Sequence, residues 1–163
     1  MMQIFKKAVP FMLGLALLQS GLAFAKTPPA PETVAAAIAK EPGAAFDVGT
    51  YNAKNVNHFT GDSYVANLTS EGPRTAAVTF YDGAHTYWHK HHGSCQILLA
   101  TAGEGWYQIW GQPAHKLRPG EHVTIPEGVK HWHGAAQGHT FQHVAVMENK
   151  PGVSTEWLEE VKL

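Results

Sequence analysis

The sequence predicts an all-β fold, a single antiparallel barrel or sandwich domain preceded by one short helix. Three observations lead there. Short segments rich in Val, Ile, Thr, Tyr and Trp recur at 63–68, 75–81, 96–100, 106–110, 122–125 and 140–147. Turn residues separate them, including Asp82-Gly83, Gly103-Glu104-Gly105, Gly111-Gln112-Pro113, Pro119-Gly120 and Pro126-Glu127-Gly128. Regularly spaced short strands with such punctuation characterise β-barrels and sandwiches. No internal repeat or second domain interrupts them.

Lys6 and Lys7 are followed by an apolar stretch at 8–18 and by Ala23-Phe24-Ala25. This is the layout of a secretory signal with cleavage after Ala25. The apolar run is about half the length of roughly twenty residues that a membrane span needs. The expectation is an exported, periplasmic protein whose residues 1–25 are removed and which has no membrane association afterwards. Residues 26–55 are expected to form a linker and a short helix. Within them PETVAAAIAK (31–40) carries Pro at its start and is closed by Pro42-Gly43. The barrel domain is expected over 56–163, with 156–163 as a last strand or a short helix.

Composition narrows the function. The formal net charge is −1, so nothing points to nucleic acid or an anionic surface as partner. Cys95 is the only cysteine, so stability must come from packing rather than an internal disulfide. The unusual count is eleven histidines against twelve lysines and arginines. Alternate side chains on a strand share a face. His85, Tyr87, His89 and His91 are therefore expected on one side, the barrel interior. His131 and His133 alternate likewise, as does His143 with Phe141 and Ala145. Burying five or more imidazoles unpaired is costly. A divalent cation removes most of that cost, because neutral imidazole donates directly to it.

Two glycine-bounded motifs carry a family resemblance. Residues 83–103, GAHTYWHKHHGSCQILLATAG, contain Gly, five residues, His-x-His, four residues, Gln, six residues and Gly. Residues 120–131, GEHVTIPEGVKH, contain Gly, five residues, Pro-x-Gly, two residues and His. In this order and spacing they resemble the paired motifs of the cupin superfamily, which implies a double-stranded β-helix, or jelly-roll, barrel. The resemblance also implies metal ligands at His89, His91, Gln96 and His131. Many cupins have Glu where this chain has Gln96, and Asn where it has Ala135. A three-His, one-Gln shell is neutral, so the ion keeps its full charge and is a stronger Lewis acid.

A closer resemblance covers about two thirds of the chain. HFTGDSYVANL (58–68), VTFYDGAHTYWHKH (78–91), LRPGEHVTIPEGVKHWHGA (117–135), FQHVAVM (141–147) and STEWLEEV (154–161) look like one group of small bacterial cupins. That group includes manganese-dependent hydroxynitrile lyases and relatives associated with carboxymuconolactone decarboxylase domains. It implies acid–base roles for His133 and His143 beside the metal. His85 stands where the lyases carry an Arg that handles the leaving anion, and is a third catalytic candidate. The loop HGSC (92–95) is one residue longer here.

The resulting expectation is one divalent transition metal, manganese by resemblance, with Fe, Co, Ni, Cu and Zn also open to this donor set. It would act as a Lewis acid on a small, partly apolar, oxygen-bearing substrate, in hydroxynitrile-lyase-like or decarboxylase chemistry. A metal-dependent dioxygenase and a non-catalytic binding module are the other readings. Trp88, Trp106, Trp110, Tyr87 and Phe141 serve either an aromatic-friendly pocket or ordinary packing. Cys95 has the opposite strand parity to Gln96 and points away from the metal. A homodimer or homotetramer through sheet extension is expected.

Overall fold

The structure, a computed structural model, describes residues 27–163. The expected export segment lies outside the described residues. Helix α1 (Pro31–Ile38) starts at Pro31, whose fixed φ suits the first helical position. It buries Val34 and Ile38, one turn apart, against Val48, Tyr64 and Ala102. The helix ends two residues before the expected Lys40.

Thirteen strands follow among the described residues, with a 3-10 turn at Ala53–His58. They are β1 (Thr50–Tyr51), β2 (Phe59–Thr60), β3 (Ser63–Asn67), β4 (Arg74–Phe80), β5 (His85–Thr86), β6 (His89–His92), β7 (Gln96–Ala102), β8 (Gly105–Ile109), β9 (His115–Leu117), β10 (His122–Ile125), β11 (His131–Ala135), β12 (Phe141–Met147) and β13 (Ser154–Trp157). One sheet runs β1-β3-β4-β12-β7-β10. The other runs β13-β6-β11-β5-β2, with β8 on the far edge of β11 and β9 beyond it. Every strand pairing is antiparallel. Non-consecutive neighbours such as β4-β12-β7 produce the two-sheet, jelly-roll sandwich. The segment after 156 resolves as the end of β13 followed by an irregular tail.

Period-two alternation decides what faces inward. On β4 it is Ala76, Val78 and Phe80; on β12 it is Phe141, His143, Ala145 and Met147. Phe80, Leu98, Ala100, Leu117, Ala135 and Phe141 fill one end of the barrel as an apolar plug. The other end stays open and carries the polar cavity. Outside the second sheet, Trp88, Trp132 and Val161 form a separate cluster, with Trp106 and Leu158 against it.

Two local features seat the histidines. At Thr101 the β7–β12 register shifts, so that Gln142 opposes Ala102 while His143 opposes Ala100. This bulge turns Ala102 outward under α1 and leaves His143 facing in, the re-aiming for which bulges are used. Gln142 is fully buried on the outer face. It accepts from the Phe46 amide and Thr101 Oγ1, and donates to Phe46 O and Thr79 Oγ1. These bonds tie the N-terminal segment across the sheet. At Gly134 a Cβ would stand 2.3 Å from His85 Cβ. Only glycine lets β5 approach β11 there.

Candidate metal centre

β6 and β11 run side by side with His131 opposite His89. That register, with alternation along each strand, gathers His89, His91 and His131. One ring nitrogen from each lies within 4.8 Å of those of the other two. All three are buried, at 1%, 4% and 0% exposure, which puts water out of reach as a general solvent for them. Gln96, at the start of β7, comes in from the opposite sheet and is also buried.

The outer nitrogens are fixed by partners in the protein. His89 Nδ1–H donates to Tyr87 O and His131 Nδ1–H to Val129 O, each at 2.9 Å. His91 Nδ1 meets Thr155 Oγ1 at 3.2 Å. Donation from Nδ1 to a carbonyl leaves Nε2 of His89 and His131 as a bare lone pair facing the cavity, as in metal sites with an ordered outer shell, and His91 matches them when its Nδ1–H donates to Thr155. Burial, first of all, opposes protonation. It pushes His131 down to about 4 and His89 well below its ordinary value, with the neighbouring imidazoles adding to the effect. His91 is lowered by burial and by the nearby Arg74 charge, while contact with Gln96 works the other way.

One distance decides whether a cation suits this set. His131 Nε2 and Gln96 Oε1 are 3.0 Å apart. His131 already donates from Nδ1 and is neutral, so its Nε2 is an acceptor, and so is the amide oxygen. Two lone-pair atoms turned toward each other at that distance suit a cation between them. Two donors about 2.1 Å from one ion and at right angles lie about 3 Å apart. His91 Nε2 is buried with no hydrogen-bond partner, the remaining orphan that a cation would satisfy. The residues fit a divalent metal.

Next to this set, His143 and His133 form a pair, Nε2 to Nδ1 at 3.1 Å. Both are buried, and both sit against Phe80. Burial holds His143 down to about 4 and His133 well below its ordinary value. His143 Nδ1 has no partner. One ring donates and the other accepts at this contact, so each neutral ring carries its proton either here or on its outer nitrogen.

The cavity beside these rings measures about 210 Å³, below the roughly 300–1,000 Å³ of sites for drug-sized ligands. Its aromatic lining is Phe59 and Trp157, the latter 4.9 Å from the His89 ring and stacked on His58. None of Trp88, Trp106, Trp110, Tyr87 and Phe141 lines it. Three of them pack: Trp88 and Trp106 on the outer cluster and Phe141 in the plug.

His85 requires a correction. The expectation of one uninterrupted strand from His85 to His91 fails, because the ladder breaks at Tyr87-Trp88 between β5 and β6. Parity slips there, and Thr86 rather than His85 faces the cavity. His85 opposes Gly134, lies edge-on to Trp132 on the outer face and keeps its Nδ1 on Gly83 O. His89, His91, Gln96, His131, His133 and His143 are brought together; His85 is not. Thr155 and Trp157 were missed. Their alternation on β13, paired with His91 and His89, is the signal that would have found them.

No family model matches the chain. A cupin-like protein of Thermotoga maritima is similar in structure, with TM-score 0.64 and 35% identity, over 72% of this chain and 90% of that one. The chain belongs to the cupin superfamily. This cupin is also 43% identical over 86 residues to an (R)-mandelonitrile lyase of Granulicella tundricola, matching 53% of this chain. It spans 65% of that relative's length. A DMSP lyase of Ruegeria pomeroyi shares the fold at TM-score 0.54 and 18% identity, over 80% of this chain and 78% of that one.

Proposed function

We propose that this cupin is a metal-dependent lyase acting on a small, partly apolar substrate through an oxygen atom, in the manner of hydroxynitrile cleavage. The observation that carries the reading is the facing pair of acceptors, His131 Nε2 and Gln96 Oε1, 3.0 Å apart beside the unpartnered His91 Nε2. His89, His91, Gln96 and His131 would hold the ion. When bound, a divalent metal supplies a Lewis-acid centre for a substrate oxygen.

The chain's own residues supply the proton handling. With the shared proton on His133 Nδ1, His133 Nε2 meets the cavity as a lone pair that can take a proton from a hydroxyl. His143 Nε2 accepts from the imidazolium so formed, which returns that proton to the leaving group. Phe80 and the apolar plug below keep the pair away from bulk water. Ala76, Val78 and Ala145 form a small apolar wall, which suits a compact hydrocarbon group on the substrate. The 43% identity to the mandelonitrile lyase supports this chemistry. The reading includes manganese as the metal, and export ahead of folding; both rest on the sequence.

The test measures aldehyde release from racemic mandelonitrile by protein of known metal content, in air and under nitrogen. The expected result is metal-dependent cleavage, abolished by a chelator and indifferent to oxygen. Turnover only with oxygen consumption would make it a dioxygenase. Metal-replete protein with no turnover of any cyanohydrin or related 2-hydroxy compound would favour a binding module.

A further inference from the structure

A charged side chain of the cavity wall has no part in the chemistry above. On β4 the inward set is Ala76, Val78 and Phe80, so Arg74 belongs to the same face, at the open, solvent-exposed mouth of the barrel. Register fixes its place across the sheet: Arg74 opposes Met147, and Met147 opposes Gln96. Arg74, Met147 and Gln96 thus form one row over three strands. With strands about 4.8 Å apart, the Arg74 and Gln96 backbones are separated by about 10 Å. Arg74 lines the cavity with Gln96 and His91, and no Asp or Glu lines it. None of the ion pairs among the described residues involves Arg74.

We propose that Arg74 is the anion-binding end of this cavity, and that the substrate carries a carboxylate at the end remote from the histidines. This rests on the metal-centred reading of the site. A neutral three-His, one-Gln donor set leaves a bound divalent ion uncompensated, and the far end adds a guanidinium that nothing on the walls neutralises. A site positive at both ends selects a small molecule with an oxygen donor at one end and a carboxylate at the other. The planar fork of Arg matches a carboxylate through two parallel N–H···O bonds. The apolar stretch between, at Ala76 and Val78, takes the carbon spacer. A neutral cyanohydrin would leave Arg74 idle.

The test uses two acids of equal length on metal-loaded full-length protein, followed by titration calorimetry. Glutarate carries a carboxylate at each end; pentanoate carries one, with an apolar tail. Wild type should bind glutarate about tenfold or more tighter than pentanoate, the range of a charge-assisted hydrogen-bonded pair. Arg74→Gln should bind the two within about twofold of each other, with pentanoate affinity and metal content as in wild type, and Arg74→Lys should recover part of the preference. A wild type without preference, a preference that survives Arg74→Gln, or no binding of glutarate at about millimolar concentration would overturn the assignment. His91→Ala separates the two ideas. If it leaves both affinities unchanged while Arg74→Gln still erases the preference, the anion site stands and the metal-centred reading falls.

Discussion

Chelator-treated protein taken from about pH 7 to about pH 5 isolates the histidine cluster, because few carboxylates titrate in that window. Burial holds His131 and His143 neutral, each pushed down from 6.5 to about 4. His89 and His133 move in the same direction, by burial first and by neighbouring imidazoles second. In the unfolded chain each ring regains its ordinary value. Between about pH 6.5 and about pH 4 the unfolded state therefore binds more protons than the folded one, and stability falls as the pH falls. It is fully present above about pH 6.5. Going down to pH 5 spans about 1.5 units, or about 2 kcal/mol per ring. His131 and His143 alone then remove about 4 kcal/mol from the roughly 5–15 kcal/mol typical of a domain. For a domain of this size that is a drop of about 10 °C or more in Tm. Thermal melts followed by tryptophan fluorescence would measure it. Protein loaded with metal should hold its Tm to lower pH, since protons must then displace the ion. A metal-free Tm that stays flat from pH 7 to pH 5 would refute the claim that these imidazoles are buried, neutral and unpaired by charge.

Three other outcomes are expected. His143→Gln or His133→Gln should cut metal-dependent turnover by about two to four orders of magnitude with metal content unchanged; full rates in both would move the proton handling elsewhere. Gln96→Ala should weaken metal affinity less than any of the three His→Ala changes, because an amide oxygen is the weakest donor of the set; equal losses in a competition titration would contradict that ranking. Gly134→Ala would force a Cβ against His85 and the Ala84 carbonyl, at 2.3 and 2.6 Å, and should cost about 1–3 kcal/mol in urea unfolding. An unchanged midpoint would mean that β5 is free to retreat from β11.

What the sequence made legible is what short-range pattern encodes. His-x-His gives two rings on one face by strand parity alone, and β6 shows it. Pro31 marks the helix start for the steric reason that applies to any chain. The barrel itself was legible because turn residues recur between short β-rich segments. His85 was misplaced because parity is only as good as the continuity of the strand, and the break at Tyr87-Trp88 depends on where β11 offers partners. Trp88 and Trp106 read as well for a pocket as for packing, since nothing local says that Val161 and Leu158 will cover them. Arg74 and Trp157 enter the cavity through cross-strand register, with Met147 and with His89 respectively. Those pairings join residues more than sixty positions apart, which no local period reports. The Thr101 bulge that keeps His143 inward is of the same kind.

The central claim is that His89, His91, Gln96 and His131 hold one divalent metal. Elemental analysis of gel-filtered protein, wild type beside His91→Ala, tests it most directly. Removing His91 takes away one strong donor and leaves His89 and His131 poorly matched to any ion. The account predicts about one metal per chain in wild type and almost none in the variant, both folded by circular dichroism. Full metal occupancy in His91→Ala protein would contradict it.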